Sequence, residues 1–249
     1  MLYGLGAMGE ALFAGHQGND GSAVKWGLAM GAGLADMGAC QGHGSWAMPH
    51  GILLTWALMI EGGVQINRLG QRFHDETCGY SEAAPAVVAQ PGAEVWCVFD
   101  EPILQLARTF PDFLELQRCG GVFRAGNSGE LAARIGCPVQ SLESSLAWTV
   151  GQSDAFGRRF ARTLQYPLYA VRVTGALFHT QGGLDVDARC RVRKADGAVL
   201  PNLWAAGGAA RGVSGPQLSG YLSGNGLLSA MAGAWIAAHD IAPILGGTA

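Results

Sequence analysis

The chain has 249 residues, enough for one large domain or two small ones. Hydrophobic residues make up 49% and charged residues only 14%, which excludes a disordered chain; a net charge of −3 with no basic stripe excludes a nucleic-acid tracker. The 39 glycines are more than twice the usual share of about 7% and follow no collagen period, so they mark turns and close backbone approaches. Residues 1–21 are glycine-rich and end in the turn signal Gly18-Asn19-Asp20-Gly21. Ser22 to Met37 reads as a helix, crowded with small residues that suit close packing against a sheet or a cofactor. The apolar stretch Ile52–Ile60, broken only by Thr55, is too short for a bilayer span of about 20 residues. Val64–Asn67 alternates, and Arg68–Phe73 continues it as strand–turn–strand.

Residues 81–165 change character. Charges rise, and helical periodicity appears in Pro102–Arg108, Phe110–Gln117 and Gly129–Ile135, with Leu142–Gly151 as a further helix opened by Ser141. Leu168–Thr174 returns to strand alternation, and Gly182–Asp187 is a turn into a strand. Leu203–Ala206 is a short buried strand ending at Gly207-Gly208. The last helix, about Gly226–Ala238, gathers Leu227, Leu228, Met231, Trp235 and Ile236 on one face. The six cysteines are scattered without a C-x-x-C pair, and no histidine stands at a metal-ligand spacing, so no metal site is expected. Reduced thiols and the lack of a positive, signal-like N-terminus point to a cytoplasmic protein.

Three segments then become recognisable: Gly182-Gly183-Leu184-Asp185-Val186-Asp187, Pro201-Asn202-Leu203-Trp204-Ala205-Ala206-Gly207-Gly208, and Ser223-Gly224-Asn225-Gly226-Leu227. Together they resemble the C-terminal half of a flavoprotein family that contains soluble fumarate reductases, succinate dehydrogenase flavoprotein subunits and 3-ketosteroid 1-dehydrogenases. Gln41-Gly42-His43 and the stretch Ile66–Glu76 agree, in family order over nearly the whole chain. The resemblance implies an α/β fold with α+β elements. A partial FAD-binding, Rossmann-like domain (1–54 and 168–249) would carry an inserted α+β substrate cap (55–167). FAD is the implied cofactor, held by Ser22, His179, Gly182, Gly183, Gly208, Asn225, Gly226 and Leu227. A helix starting at Asn225-Gly226 turns free N–H groups toward the flavin edge, where they stabilise negative charge.

The family opens with a strand, a G-x-G-x-x-G turn and a helix that hold the ADP half of FAD. Gly4-Leu5-Gly6-Ala7-Met8-Gly9 fits the bare pattern, but Met1-Leu2-Tyr3 is too short for the strand before it. The chain is therefore expected to be a partial member, with a separate polypeptide as one source of the ADP-binding half. Before the near-flavin helix the family has Thr-Gly-Asp-Gly. Here Asp20-Gly21-Ser22-Ala23 puts Ser22 at the acidic position, with Asp20 either its substitute or a helix cap.

The substrate positions are carried over residue by residue. His43 falls on a substrate histidine and Thr55 on a substrate threonine, while Trp56 replaces a glutamate. Phe178 replaces a second histidine, and His179 keeps the flavin-contacting place beside it. The acid arginine of fumarate reductases becomes Tyr80, their carboxylate-clamping arginine becomes Tyr221, and a flavin-side glutamate becomes Gly208. Tyrosines cannot build a bidentate carboxylate fork. Both match the ketosteroid dehydrogenases, where one tyrosine removes a proton and the other hydrogen-bonds the ketone. A tyrosine titrates near 10 in water, so a tyrosine base needs a lowered pKa, with His43 as the expected neighbour. Arg211 is a candidate replacement clamp. The resemblance thus implies an FAD-dependent CH–CH oxidoreductase for an apolar, carbonyl-bearing small molecule. The alternatives are a non-catalytic partial flavoprotein and a fumarate reductase-like reductase of a carboxylate.

Overall fold

A computed structural model describes residues 5–246. The expectations placed on Met1-Leu2-Tyr3 and Gly4 lie outside them; Gly6–Glu10 form a 3-10 turn. Within the described residues the chain divides into two units, unit 1 (5–9, 13–41 and 177–246) and unit 2 (10–12 and 42–176). The changes of unit at 41/42 and 176/177 fall inside strands, whereas the sequence places them at 54/55 and 167/168.

In chain order, β1 (Leu12–Phe13), α1 (Ser22–Ala29), β2 (Leu34–Ala35), β3 (Cys40–Ala47) and β4 (Ile52–Leu53) come first. Then follow α2 (Ala57–Ile60), β5 (Val64–Asn67), α3 (Tyr80–Val88), β6 (Val95–Asp100), α4 (Glu101–Ala107) and α5 (Pro111–Arg118). Next are β7 (Phe123–Ala125), α6 (Ser128–Ile135), α7 (Val139–Leu146), β8 (Leu168–Thr180) and β9 (Gly183–Leu184). The chain closes with β10 (Arg191–Arg193), β11 (Val199–Trp204) and α8 (Asn225–Leu245). The seven-stranded sheet has the order β4-β3-β8-β6-β5, with β1 and β7 also paired to β8. Its β3–β4, β5–β6, β6–β8 and β7–β8 pairs are antiparallel.

Unit 2 is organised by β6, which is buried at every position. Val95, Cys97 and Phe99 face a core with Leu58, Met59, Leu104 and Val171. Trp96 and Val98 face a second core with Ile66, Leu131, Leu142 and Ala170. Each large side chain so buried stabilises the unit by about 1.5–3 kcal/mol before entropy is counted. The expected helices over 102–108, 110–117 and 129–135 are α4, α5 and α6. The helix expected over 142–151 is α7, which starts at Val139 and stops at Leu146, where Ala147 turns extended. After β5 the chain turns at Gly70 (φ 75) and forms no second strand over Gln71–Phe73.

Unit 1 is built on small residues. The helix expected to reach Met37 ends at Ala29; Gly31 (φ 84) breaks it, and Leu34–Ala35 then pair with Gly183–Leu184. A Cβ on Gly27 would stand 2.3 Å from Leu184 Cδ2, so α1 rides directly on β9. The core there is small: Ala32, Leu184, Val192, Ala205 and Ala210. β11 is a half-exposed partner of β10 instead of the buried strand expected. In α8 the buried positions are Asn225, Gly233 and Ala237. Its large apolar side chains face outward, with Leu227 79%, Met231 75% and Trp235 63% exposed. The reason is close contact on the other side: a Cβ on Gly233 would stand 2.8 Å from the Ala206 Cβ. Among the described residues α8 alone is long and apolar enough to cross a membrane by length and composition.

Candidate active site

In unit 2, β3 carries His43 and the first residue of α3 is Tyr80. Their rings stack at 4.7 Å with 15° between planes. Trp56 meets the His43 ring edge-on at 6.0 Å and donates its Nε1–H to the Cys78 carbonyl (3.1 Å), which also fixes the chain leading to Tyr80. His43 is 5% exposed, and burial pushes its pKa down to about 3, so the imidazole is neutral. No cation therefore stands at His43 to draw a proton from Tyr80. The Ser45 amide lies 3.3 Å from His43 Nδ1 and can only donate, while Ser45 Oγ gives its proton to the Leu54 carbonyl at 2.7 Å. Nδ1 is the acceptor, and the ring proton is assigned to Nε2. Thr55 is half-buried, and its Oγ1 accepts from the Ala57 amide at 3.4 Å.

The segment before Tyr80 is held by a buried ion cluster. Glu76, fully buried, accepts from Arg72 Nε (2.8 Å) and Nη2 (2.6 Å), Arg158 Nη1 (2.7 Å) and the Gln65 amide (3.1 Å). Asp154 accepts from Arg72 Nη1 at 2.5 Å, so two guanidiniums meet two carboxylates. Burial alone would raise the pKa of Asp154, but the Arg72 contact and backbone donors outweigh it and hold the carboxyl below its ordinary range. The Phe160 ring lies under both arginines, 4.9 Å from Arg72 and 4.2 Å from Arg158. Gln65 Nε2 donates to the Gly44 carbonyl, which leaves Oε1 to accept from His74 Nε2 at 2.8 Å. The sequence points to Arg72 and Glu76 as a motif but gives no signal for Arg158, Asp154 or Gln65 as their partners.

In unit 1 a cavity of about 470 Å³ lies where two helices begin. Asp20 and Gly21 border it at the start of α1, Gly226 at the start of α8, and His179, Gly182 and Gly208 form further wall. Lys25 also lines it. Two helix ends and the Lys25 ammonium border it, with the Asp20 carboxylate taking the first N–H of α1 beside them. Tyr221 places its hydroxyl 3.4 Å from His179 Nε2, and Gln181 Nε2 lies 3.1 Å from His179 Nδ1. Arg211 is held by Asp36 (Nε–Oδ2 2.8 Å) and Asp185 (Nη1–Oδ1 3.3 Å).

A model of the FAD binding domain matches residues 4–227. The chain belongs to the FAD binding domain family. It is 31% identical over 221 residues to an NADH:acrylate oxidoreductase of Vibrio harveyi, covering 84% of this chain and 21% of that protein. It is 26% identical over 236 residues to a 4-oxocyclohexanecarboxylate 2-dehydrogenase of Sinomonas cyclohexanicum, covering 74% and 40%. The open conformation of a flavocytochrome c3 fumarate reductase has the same fold, with TM-score 0.72, 24% identity, and coverage of 94% of this chain and 43% of that one. The chain spans less than half the length of each.

FAD is the cofactor of this family, and the unit 1 cavity fits part of it. Cβ atoms on Gly21, Gly208 and Gly226 would meet nothing within 4 Å, so bare backbone borders the cavity where a flat group needs room. Of the FAD binding residues expected from sequence, His179, Gly182, Gly208 and Gly226 line this cavity. Ser22 lies just behind Asp20, which accepts from its amide at 2.9 Å. That makes Asp20 both a cap of α1 and a cavity wall. Gly183 serves packing, since a Cβ there would stand 2.5 Å from the Ala210 carbonyl carbon. Asn225 turns its side chain to Ser214 Oγ (2.7 Å) and the Leu222 carbonyl (3.0 Å), and Leu227 faces outward. Phe178, half-buried, lies in unit 1 with His179 and Tyr221; Thr55, Trp56, His43 and Tyr80 lie in unit 2. Among the described residues no group of His, Cys, Asp or Glu is arranged to hold a metal ion.

Proposed function

We propose that this chain is the substrate-facing and flavin-edge part of an oxidoreductase acting on a CH–CH group beside a ketone. Tyr80 takes the proton and Tyr221 donates to the carbonyl oxygen. FAD, when bound, supplies the hydride acceptor at N5. The observation that carries the reading is the pairing of Arg211 with Asp36 and Asp185. The guanidinium nearest the last motif is already neutralised, and phenols stand at the two arginine positions of carboxylate reductases. A proton α to a carbonyl becomes acidic when donors meet the developing negative oxygen. Tyr221 supplies an O–H for that purpose. Neutral His43 orients Tyr80 by stacking, and Trp56 and Phe178 stand where the resemblance implies a glutamate and a histidine. A relative named for an oxo-substituted ring is consistent with this class.

The test uses the full chain with FAD and, where FAD is not retained, with an added ADP-binding portion. A visible absorbance spectrum first reports bound flavin. One FAD per chain surviving gel filtration overturns the need for a further ADP-binding portion. A flat cyclic ketone is then expected to bleach the flavin under anaerobic conditions. Tyr80→Phe should slow this by about 100-fold or more, the scale of a general base. Tyr221→Phe should weaken binding and rate together, by about 2–4 kcal/mol in the transition state. The second reading, reduction of a carboxylate, is favoured by the relative named for acrylate. Reoxidation of the reduced protein by acrylate or fumarate, with ketones inert, would establish it and overturn the first.

A further inference from the structure

The stacked rings of His43 and Tyr80 are joined through their neighbours in sequence. Gly42 precedes His43, Ser81 follows Tyr80, and the Gly42 amide donates to Ser81 Oγ at 3.0 Å. Ser81 is 1% exposed, in the first turn of α3. Farther along, α3 is seated by glycines on the strands beneath it. A Cβ on Gly44 would stand 3.1 Å from the Ala83 Cβ, and one on Gly175 would stand 2.8 Å from the Ala84 carbonyl oxygen. At the helix start the N-cap is Gly79, which has no side chain to cap it. Ring stacking is soft in angle and offset, whereas a hydrogen bond is directional. The Ser45 amide holds the imidazole from one side. The bond between Gly42 and Ser81 ties the backbone of one ring to the backbone of the other.

We propose that Ser81 is a positioning residue: by accepting from the Gly42 amide, its hydroxyl sets the distance and tilt of the His43–Tyr80 stack. The functional value of this role rests on the reading of Tyr80 as the proton acceptor, but the geometry can be tested without it. The measurement is the NMR position of the carbon-bound ring protons of His43 in the full chain, which needs neither flavin nor turnover. Tyr80→Leu gives the position without a tyrosine ring current. Ser81→Ala is expected to move the His43 resonances toward that position, and Ser81→Thr, which keeps the hydroxyl, to leave them in place. A Ser81→Ala protein that is less stable yet keeps His43 at the parent position has lost only a structural serine, and overturns the proposal. If Ser81→Ala does not fold, Ser81→Cys, whose sulfur is a weaker acceptor, is read the same way: displacement supports the proposal and the parent position overturns it. In flavin-loaded protein Ser81→Ala should lower kcat with KM little changed. A displaced His43 with an unchanged kcat would uphold the positioning role and overturn the reading of Tyr80 as the base.

Discussion

Unit 2 buries large side chains on both faces of β6 and holds a buried ion cluster. Unit 1 encloses a core of three alanines, Leu184 and Val192, and carries most of the exposed large apolar side chains among the described residues. Its elements meet through glycine: Gly27 under Leu184, Gly183 under Ala210, Gly233 under Ala206. Unit 2 is thus held by side-chain volume and paired charge, unit 1 by backbone approach. Other glycines of unit 1, Gly21, Gly208 and Gly226, leave bare backbone around its cavity, which suits a flat cofactor. The proposed proton chemistry sits in unit 2, where side chains are fixed from several directions.

The comparison breaks most severely at Glu76. Glu76→Gln leaves Arg72 and Arg158 buried with half their negative partners removed. A loss of about 3–5 kcal/mol in chemical denaturation is expected, the scale for an uncompensated buried charge. A loss below about 1 kcal/mol, the range of an exposed pair, would mean that the cluster is hydrated and unit 2 is not charge-stapled.

Next in size is an acid effect at His43. Its folded pKa, about 3, lies below the ordinary 6.5, so the unfolded chain binds more protons between those values. Stability from this group is complete above about pH 6.5 and falls as pH drops toward about 3, by at most about 1.4 kcal/mol per pH unit. His74, lowered chiefly by burial and partly opposed by the charge of Glu76, acts in the same direction. Asp154 acts lower, its contribution being lost as pH falls from the ordinary carboxylate value of about 3.9 through its depressed folded value. His43→Gln should therefore flatten the slope of stability between pH 6 and 4 without abolishing it, as read from urea midpoints. An unchanged slope would mean that His43 stays hydrated.

How much of this was legible in the sequence follows the same division. In unit 2, α4, α5 and α6 show because one face of each is apolar and the other polar. β6 does not, because Val95-Trp96-Cys97-Val98-Phe99 is apolar on both faces and has no alternation to read. α3 is hidden by small residues and by Pro85 in its interior. In unit 1 the stripe on α8 is a true helical period, but periodicity alone does not reveal which side is covered. Gly233 and Ala237 decide that, and small residues carry no hydrophobic signal. Four residues of the cavity wall, His179, Gly182, Gly208 and Gly226, were legible through motif resemblance. Ser45, Ser81 and Arg158 were not, since their roles arise only where the fold brings distant backbone to them.

Unit 1 should respond to added volume. Gly233→Val places atoms where Ala206 Cβ already stands 2.8 Å from a bare Cβ. A loss of about 1–3 kcal/mol is expected from overpacking, seen as a lower denaturation midpoint. Indifference here would mean that α8 shifts freely on Ala206 and that backbone approach does not hold the unit.

The smallest effect is expected where apolar residues are largest. Met231 and Trp235 lie on the outward side of α8, 75% and 63% exposed. Met231→Gln removes little that is buried, and glutamine has nearly the helix propensity of methionine, so the change in stability should stay within about 0.5 kcal/mol. Trp235 differs in one respect: its ring lies 3.8 Å from the His239 ring, at a tilt of 34°. Trp235→Gln should therefore cost slightly more than Met231→Gln, yet less than Gly233→Val two residues away. The ranking is the informative quantity. A conventional amphipathic helix, with its apolar stripe as its buried face, gives the reverse order: severe losses at Met231 and Trp235 and tolerance at Gly233. Denaturation of the three variants side by side separates the two arrangements, since each helix position is read against a neighbour on the same element.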